Sequence, residues 1–183
     1  MANQQDDPGQ FFQNLSPTHR RWMNARKNDN TNYFTEKFDP SLPVILDEIH
    51  ETHIVRDNWQ RFLQGLPHEK HLTFSVMSDK EKREYLNKCI SYTWRELSTK
   101  PETALPNYYF PRGDISSPKC QFLIPAWCND IDPAFMAIVI GKVSSSFYNV
   151  YTWLTLKQAY ANTGLIAVPQ KSWCDPNNLR RHL

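Results

Sequence analysis

Residues 134–140 read Ala-Phe-Met-Ala-Ile-Val-Ile, an unbroken apolar run between Pro133 and Gly141. As a strand, a run without polar alternation can leave neither face in water, so it must sit inside a sheet with something covering each side. Upstream, Cys120, Phe122 and Ile124 alternate with Gln121 and Leu123, which predicts a second strand over 120–125. Downstream, the polar turn from Lys142 to Ser146 leads to a third strand over 147–153, placed to form a hairpin with the central one. Leu165 to Val168 supplies a last strand.

The cover for this sheet is written just upstream. Ser78 and Glu81 are spaced for a reciprocal capping box, in which each side chain reaches the other residue's backbone N–H. Tyr85, Leu86, Cys89, Ile90, Thr93, Trp94 and Leu97 then share one helical face, opposite Lys82, Arg83, Lys88 and Arg95, until Pro101 stops the helix. Thr155 and Gln158 repeat the capping pattern for a short helix through Leu156, Ala159 and Tyr160, with Gly164 at its end. The expected fold class is α+β, a mixed and largely antiparallel sheet covered by one long and one short helix. Trp59, Phe62, Leu63 and Leu66 recur at helical spacing, and the apolar stretch from Val44 to Val55 reads as either strand or helix.

A chain of 183 residues suits one domain. Residues 1–37 are polar and read as a flexible basic arm, 38–175 as the α+β domain, and 176–183 as a tail. The net charge of +2 is too small to announce a nucleic-acid partner, so only local patches can argue for one. No apolar run is long enough to span a bilayer, and the polar, acidic N-terminus does not resemble a signal peptide, so a cytoplasmic or nuclear location and no membrane partner are expected. Cys89, Cys120, Cys128 and Cys174 contain no Cys-x-x-Cys pair and lie among apolar residues, which reads as four reduced, mostly buried thiols.

The densest group of ligand-type side chains is Asp47-Glu48-Ile49-His50-Glu51-Thr52-His53. On a helix His50 and His53 would share a face and could hold a divalent metal for a hydrolase; as a strand they would point apart. Their separation of three is not the zinc-protease spacing, and a solvated acidic face explains the same residues. His68 and His71 lie in a stretch that reads as loop. No serine sits in a nucleophile elbow and no glycine-rich loop could cradle a phosphate, so no catalytic residues and no cofactor are expected. Arg20, Arg21, Arg26 and Lys27 surround Trp22, combining cations for phosphates with a ring for base stacking, and Tyr108 and Tyr109 could stack in the same way. A solvated tail and an extended linker anchored to the sheet are the structural alternatives.

From Phe38 onward the chain resembles the last part of an uncharacterised family, domain of unknown function 3825. The resemblance rests on Leu154-Thr155-Leu156, Ala159-Tyr160, Asn162, Leu165-Ile166-Ala167, Pro169 and Trp173. Ala104, Pro106, Tyr108 and Tyr109, the strand Gln121-Phe122-Leu123-Ile124-Pro125, and His53-Ile54, Asn58 and Arg61-Phe62 keep the same order. It implies an additional N-terminal portion in full-length members, so this chain is expected to be a truncated or split version. It also implies an RNA association by analogy, since members look like parts of larger proteins with RNA-associated modules. The expected function is a non-enzymatic binding or interaction module, with single-stranded RNA, a partner protein or a second copy of the chain as partner. The alternatives are a metal-assisted hydrolase at His50 and His53, or a structural partner subunit. The short helix looks too small to cover its face of the central strand, so part of that face is expected to need a partner.

Overall fold

The computed structural model describes residues 38–109, 119–128, 131–163 and Trp173. Contacts divide the chain into two units: Lys37–Tyr108 with Cys120–Leu183, and Met1–Glu36 with Tyr109–Lys119. Of the second, only Tyr109 and Lys119 fall among the described residues. The basic arm, the expected strand over 165–168 and Cys174 therefore lie outside them.

In chain order the elements are β1 (Val44–Ile45), α1 (Glu48–Thr52), a π-helical turn (His53–Asp57), α2 (Trp59–Gly65), α3 (His71–Ser75) and α4 (Asp79–Thr99). Then come β2 (Leu105–Tyr109), β3 (Lys119–Cys128), β4 (Ile131–Lys142), β5 (Tyr148–Thr155) and α5 (Leu156–Thr163). The fold is α+β, with one five-stranded sheet ordered β1-β5-β4-β3-β2. The expected apolar run is the centre of β4, paired antiparallel with β3 on one side and β5 on the other. β1 joins β5 in parallel, which makes the sheet mixed. Pro106 lies in β2, at an edge, where a residue without an N–H costs the ladder least.

Helix α4 starts as its sequence dictates. The Ser78 hydroxyl accepts from the Glu81 N–H at 3.3 Å and the Glu81 carboxylate accepts from the Ser78 N–H at 2.7 Å. Its buried face is Leu86, Cys89, Ile90, Thr93 and Leu97. Leu86, Cys89, Ile90 and Leu97 join Ile54 and Val55 of the π-helical turn, Phe62 of α2 and Trp153 of β5 in the larger core cluster on one side of the sheet. Gly65 lets α2 approach β4, since a Cβ there would collide with the Met136 side chain. On the other side Leu123, Ala137, Val139 and Ala159 form a second cluster, flanked by Leu105, Leu154 and Trp173. Ala137 is 0% and Val139 4% exposed in the single chain. This differs from the expected open face: α5 is short, but Trp173 and Leu105 extend the cover.

The thiol reading is corrected at Cys89 and Cys128. They form a disulfide between α4 and β3, with Cα atoms 5.1 Å apart, inside the usual window of ~4.4–6.8 Å. Neighbour spacing could not reveal a pair separated by 39 residues, because it exists only once the helix lies on the sheet. Cys120, half-buried, has its Sγ 3.8 Å from the Gln121 carbonyl oxygen. Among the described residues no helix is long and apolar enough to cross a membrane.

Candidate functional site

The stretch from Asp47 to Asp57 is helical, which decides the earlier ambiguity. Asp47 is the N-cap of α1, its Oδ1 accepting from the His50 N–H at 2.8 Å. The His50 ring turns back onto the same carboxylate, with Nδ1 2.7 Å from Oδ1. From across the sheet, Asn149 of β5 donates its Nδ2–H to Asp47 Oδ2 at 2.6 Å. Burial raises the Asp47 carboxyl, but the bonds from the His50 backbone, the Asn149 amide and the His50 ring outweigh it and hold the group below its usual value. The ionised Asp47 accepts a hydrogen bond from His50 Nδ1–H. The Asn149 Nδ2 lies 3.3 Å from that nitrogen, and two donors facing each other make a contact rather than a bond. His50 Nε2, the other ring nitrogen, has no hydrogen-bond partner among the described residues.

Tyr151 completes the group. Val150 pairs with Ile140 and Thr152 with Val139, so Tyr151 is the extra residue of a β-bulge in β5, a device that re-aims a side chain. Its ring lies 5.1 Å from the His50 ring, edge to face, and over Gly141, where a Cβ would collide with it. Burial, then the Asp47 charge, raise the phenol above its usual value, so the hydroxyl stays protonated and neutral. Asn149 is 6% exposed and its Oδ1 has no hydrogen-bond partner among the described residues.

His50 and His53 do not act together. His53 Nδ1 lies 2.9 Å from Asp57 Oδ2, and its Nε2 faces the Asn58 amide nitrogen at 2.6 Å. Each histidine is thus held by its own carboxylate, and among the described residues no three His, Cys, Asp or Glu side chains converge as a metal would require. The other motif residues hold the fold. Arg61 Nη1 donates to the Trp153 carbonyl at 3.4 Å, Thr155 and Gln158 cap α5 reciprocally, and Trp173 Nε1 donates to the Thr103 carbonyl at 2.8 Å. Tyr160 and Asn162 lie half-buried on α5, Pro106 and Tyr108 lie in β2, and Tyr109 is 49% exposed. His71 Nε2 lies 3.0 Å from the Leu66 carbonyl oxygen. Arg20, Arg21, Trp22, Arg26 and Lys27 lie outside the described residues. Sequence reading missed Asn149 and Tyr151: Asn149 is 102 positions from Asp47, and no local pattern marks a bulge.

The charge on Asp47 can be tested by pH. Its folded value lies below its unfolded value, so its contribution is complete above the usual carboxylate value of ~4 and is lost as pH falls through the lower folded value. Asp47→Asn keeps a competent N-cap without the charge. Urea denaturation at several acid pH values should show a smaller loss of stability for Asp47→Asn than for the unaltered chain. Equal losses would mean that the charged form of Asp47 is not favoured by folding.

The profile of one family, Domain of unknown function (DUF3825), matches residues 4–173. The match begins well before Phe38 and takes in the polar arm, so the resemblance is broader than the motifs from Phe38 onward suggest. No curated protein and no solved structure matches the chain.

Proposed function

Since the chain belongs to the DUF3825 family, whose domain is of unknown function, we propose its role from the site: a non-catalytic binding module that takes a cationic, N–H-bearing group of a partner protein. The observation that carries this is the His50 Nε2, turned into an acceptor by Asp47 and set beside an ionised carboxylate and the Tyr151 ring. A carboxylate, an imidazole acceptor and an aromatic face suit an ammonium or guanidinium of a lysine or arginine side chain. Glu48, next to Asp47 in the chain, is exposed, while Glu51 is occupied by Arg83 at 3.3 Å. A carboxylate-oriented imidazole is also part of a catalytic triad, but the nucleophile would meet Nε2, and none of the described residues does so.

A second reading, single-stranded RNA, rests on the cations around Trp22 and on the exposed Tyr109. The acidic His50 face repels phosphates, so RNA would engage the arm instead. One titration separates the two. A short arginine-rich peptide should shift the His50 and Tyr151 ring resonances, with affinity about tenfold weaker for Asp47→Asn, as expected for losing one charged hydrogen-bond partner. Unchanged affinity in that variant overturns the site. Single-stranded RNA that binds, weakens with salt, and is lost when Arg20, Arg21, Arg26 and Lys27 become Ala supports the second reading. If the partner is a second copy of the chain, the mass in ultracentrifugation rises with concentration.

A further inference from the structure

We infer that Cys89 and Cys128 form a redox latch that sets how firmly α4 holds the helical segment carrying His50. The disulfide joins the middle of α4 to the end of β3. One helical turn further on, Thr93, 0% exposed, uses its hydroxyl twice: it donates to the Trp127 carbonyl at 3.3 Å and accepts from the Trp127 N–H at 2.9 Å. Trp127 sits where the β3–β4 register breaks, between Ala126 and Cys128. There the backbone lacks a regular ladder partner, and α4 supplies one. Covalent bond and hydrogen bonds together fasten this half of α4 to the sheet.

The first turns of the same helix hold the other side. Arg83 Nε lies 3.3 Å from Glu51 Oε2, in the residue after His50, as an ion pair without hydrogen-bond alignment. Arg56 Nε lies 3.7 Å from Asp79 Oδ2. Lys82 lies over the Trp59 ring at 5.3 Å. α4 is a continuous helix of 21 residues, a rod of roughly 30 Å at ~1.5 Å per residue. Movement at the Cys89 turn is therefore delivered to the Glu51 and Arg56 contacts. These are partly exposed and individually weak, so they follow the rod rather than restrain it.

The two covalent states are related by a balanced exchange with a low-molecular-weight disulfide. One cysteine, as thiolate, attacks that disulfide, forms a mixed disulfide and releases a small thiolate. The second cysteine, as thiolate, attacks the protein sulfur of the mixed disulfide and releases the other. The two protons lost by the cysteines are taken up by the two released thiolates, and the pair of protein thiols is oxidised as the small disulfide is reduced. Cys89 is 1% and Cys128 6% exposed, so exchange in either direction requires α4 to open and each state persists once formed.

The test equilibrates the full chain with glutathione at defined ratios of oxidised to reduced form. Alkylation and intact mass report the thiols, and amide hydrogen exchange is followed over 48–57, 79–99 and 119–128. Oxidation should consume two thiols at Cys89 and Cys128 and slow exchange about tenfold both in α4 and in 48–57. In Arg83→Gln the slowing should remain in α4 and become smaller in 48–57, where the Arg56–Asp79 pair still holds. Thiols that stay free in excess oxidised glutathione overturn the proposal. So does slowing confined to 79–99 and 119–128 in the unaltered chain, which would make the bond a local staple. No ligand enters these readouts, so they can fail without touching the binding site, and the reverse.

Discussion

Breaking the Cys89–Cys128 bond should lower the unfolding free energy by roughly 4 kcal/mol, the chain-entropy value for a loop of this size. The closed loop spans a sequence separation of 39, and both sulfurs are buried between α4 and the sheet. Without the bond the unfolded chain gains freedom, while the folded chain loses its covalent tie between two layers. For a chain of this length the loss corresponds to a fall in Tm on the order of 10 °C. Thermal and urea denaturation with and without a phosphine reductant measure it. The double variant Cys89→Ala, Cys128→Ala should match the reduced protein apart from a smaller cavity cost, and should be indifferent to reductant. An identical midpoint in the presence and absence of reductant would show that the two cysteines are not bonded in solution.

Trp153→Ala should cost about 3–5 kcal/mol, the range for emptying a large aromatic site in a core. Trp153 is 2% exposed and packs its ring 5.2 Å from Phe62 and 6.3 Å from Phe135. It joins β5 to α2, and the Arg61 guanidinium holds its backbone carbonyl. Among the described residues the buried indole Nε1 has no hydrogen-bond partner, a desolvation cost of ~1–3 kcal/mol that the native ring carries. Trp153→Phe removes that cost but leaves a cavity where the larger ring was, so its net loss should be clearly smaller than that of the Ala variant. Urea denaturation of the two variants side by side decides the point. A Phe variant as unstable as the Ala variant would mean that Nε1 is satisfied in solution.

The strands and α4 were legible because each carries its own signal. The 134–140 run needs two covered faces, Ser78 and Glu81 cap a helix locally, and Thr155 and Gln158 do the same for α5. The stretch from Val44 to Asp57 was not legible for the opposite reason, whereas α2 showed its helical spacing at Trp59, Phe62 and Leu63. The helical pieces of that stretch span 5 and 5 residues, each too short to display a 3.6-residue period or to be stable alone. They are helical because Ile54 and Val55 are buried in the core below. Only that burial put Asp47 at an N-cap and gave His50 and His53 separate carboxylates.

By itself, then, the sequence determined the α+β class, the central strand and its hairpin, the long helix and both caps, since hydrophobic period and capping chemistry act between residues a few positions apart. Tertiary structure alone decided the rest. It paired Cys89 with Cys128, covered the second face with Trp173 and Leu105, and brought Asn149 and the bulged Tyr151 to the Asp47–His50 edge. Each of these joins residues far apart along the chain. The free energy that holds such groups together comes from packing the layers between them, and no local pattern records it.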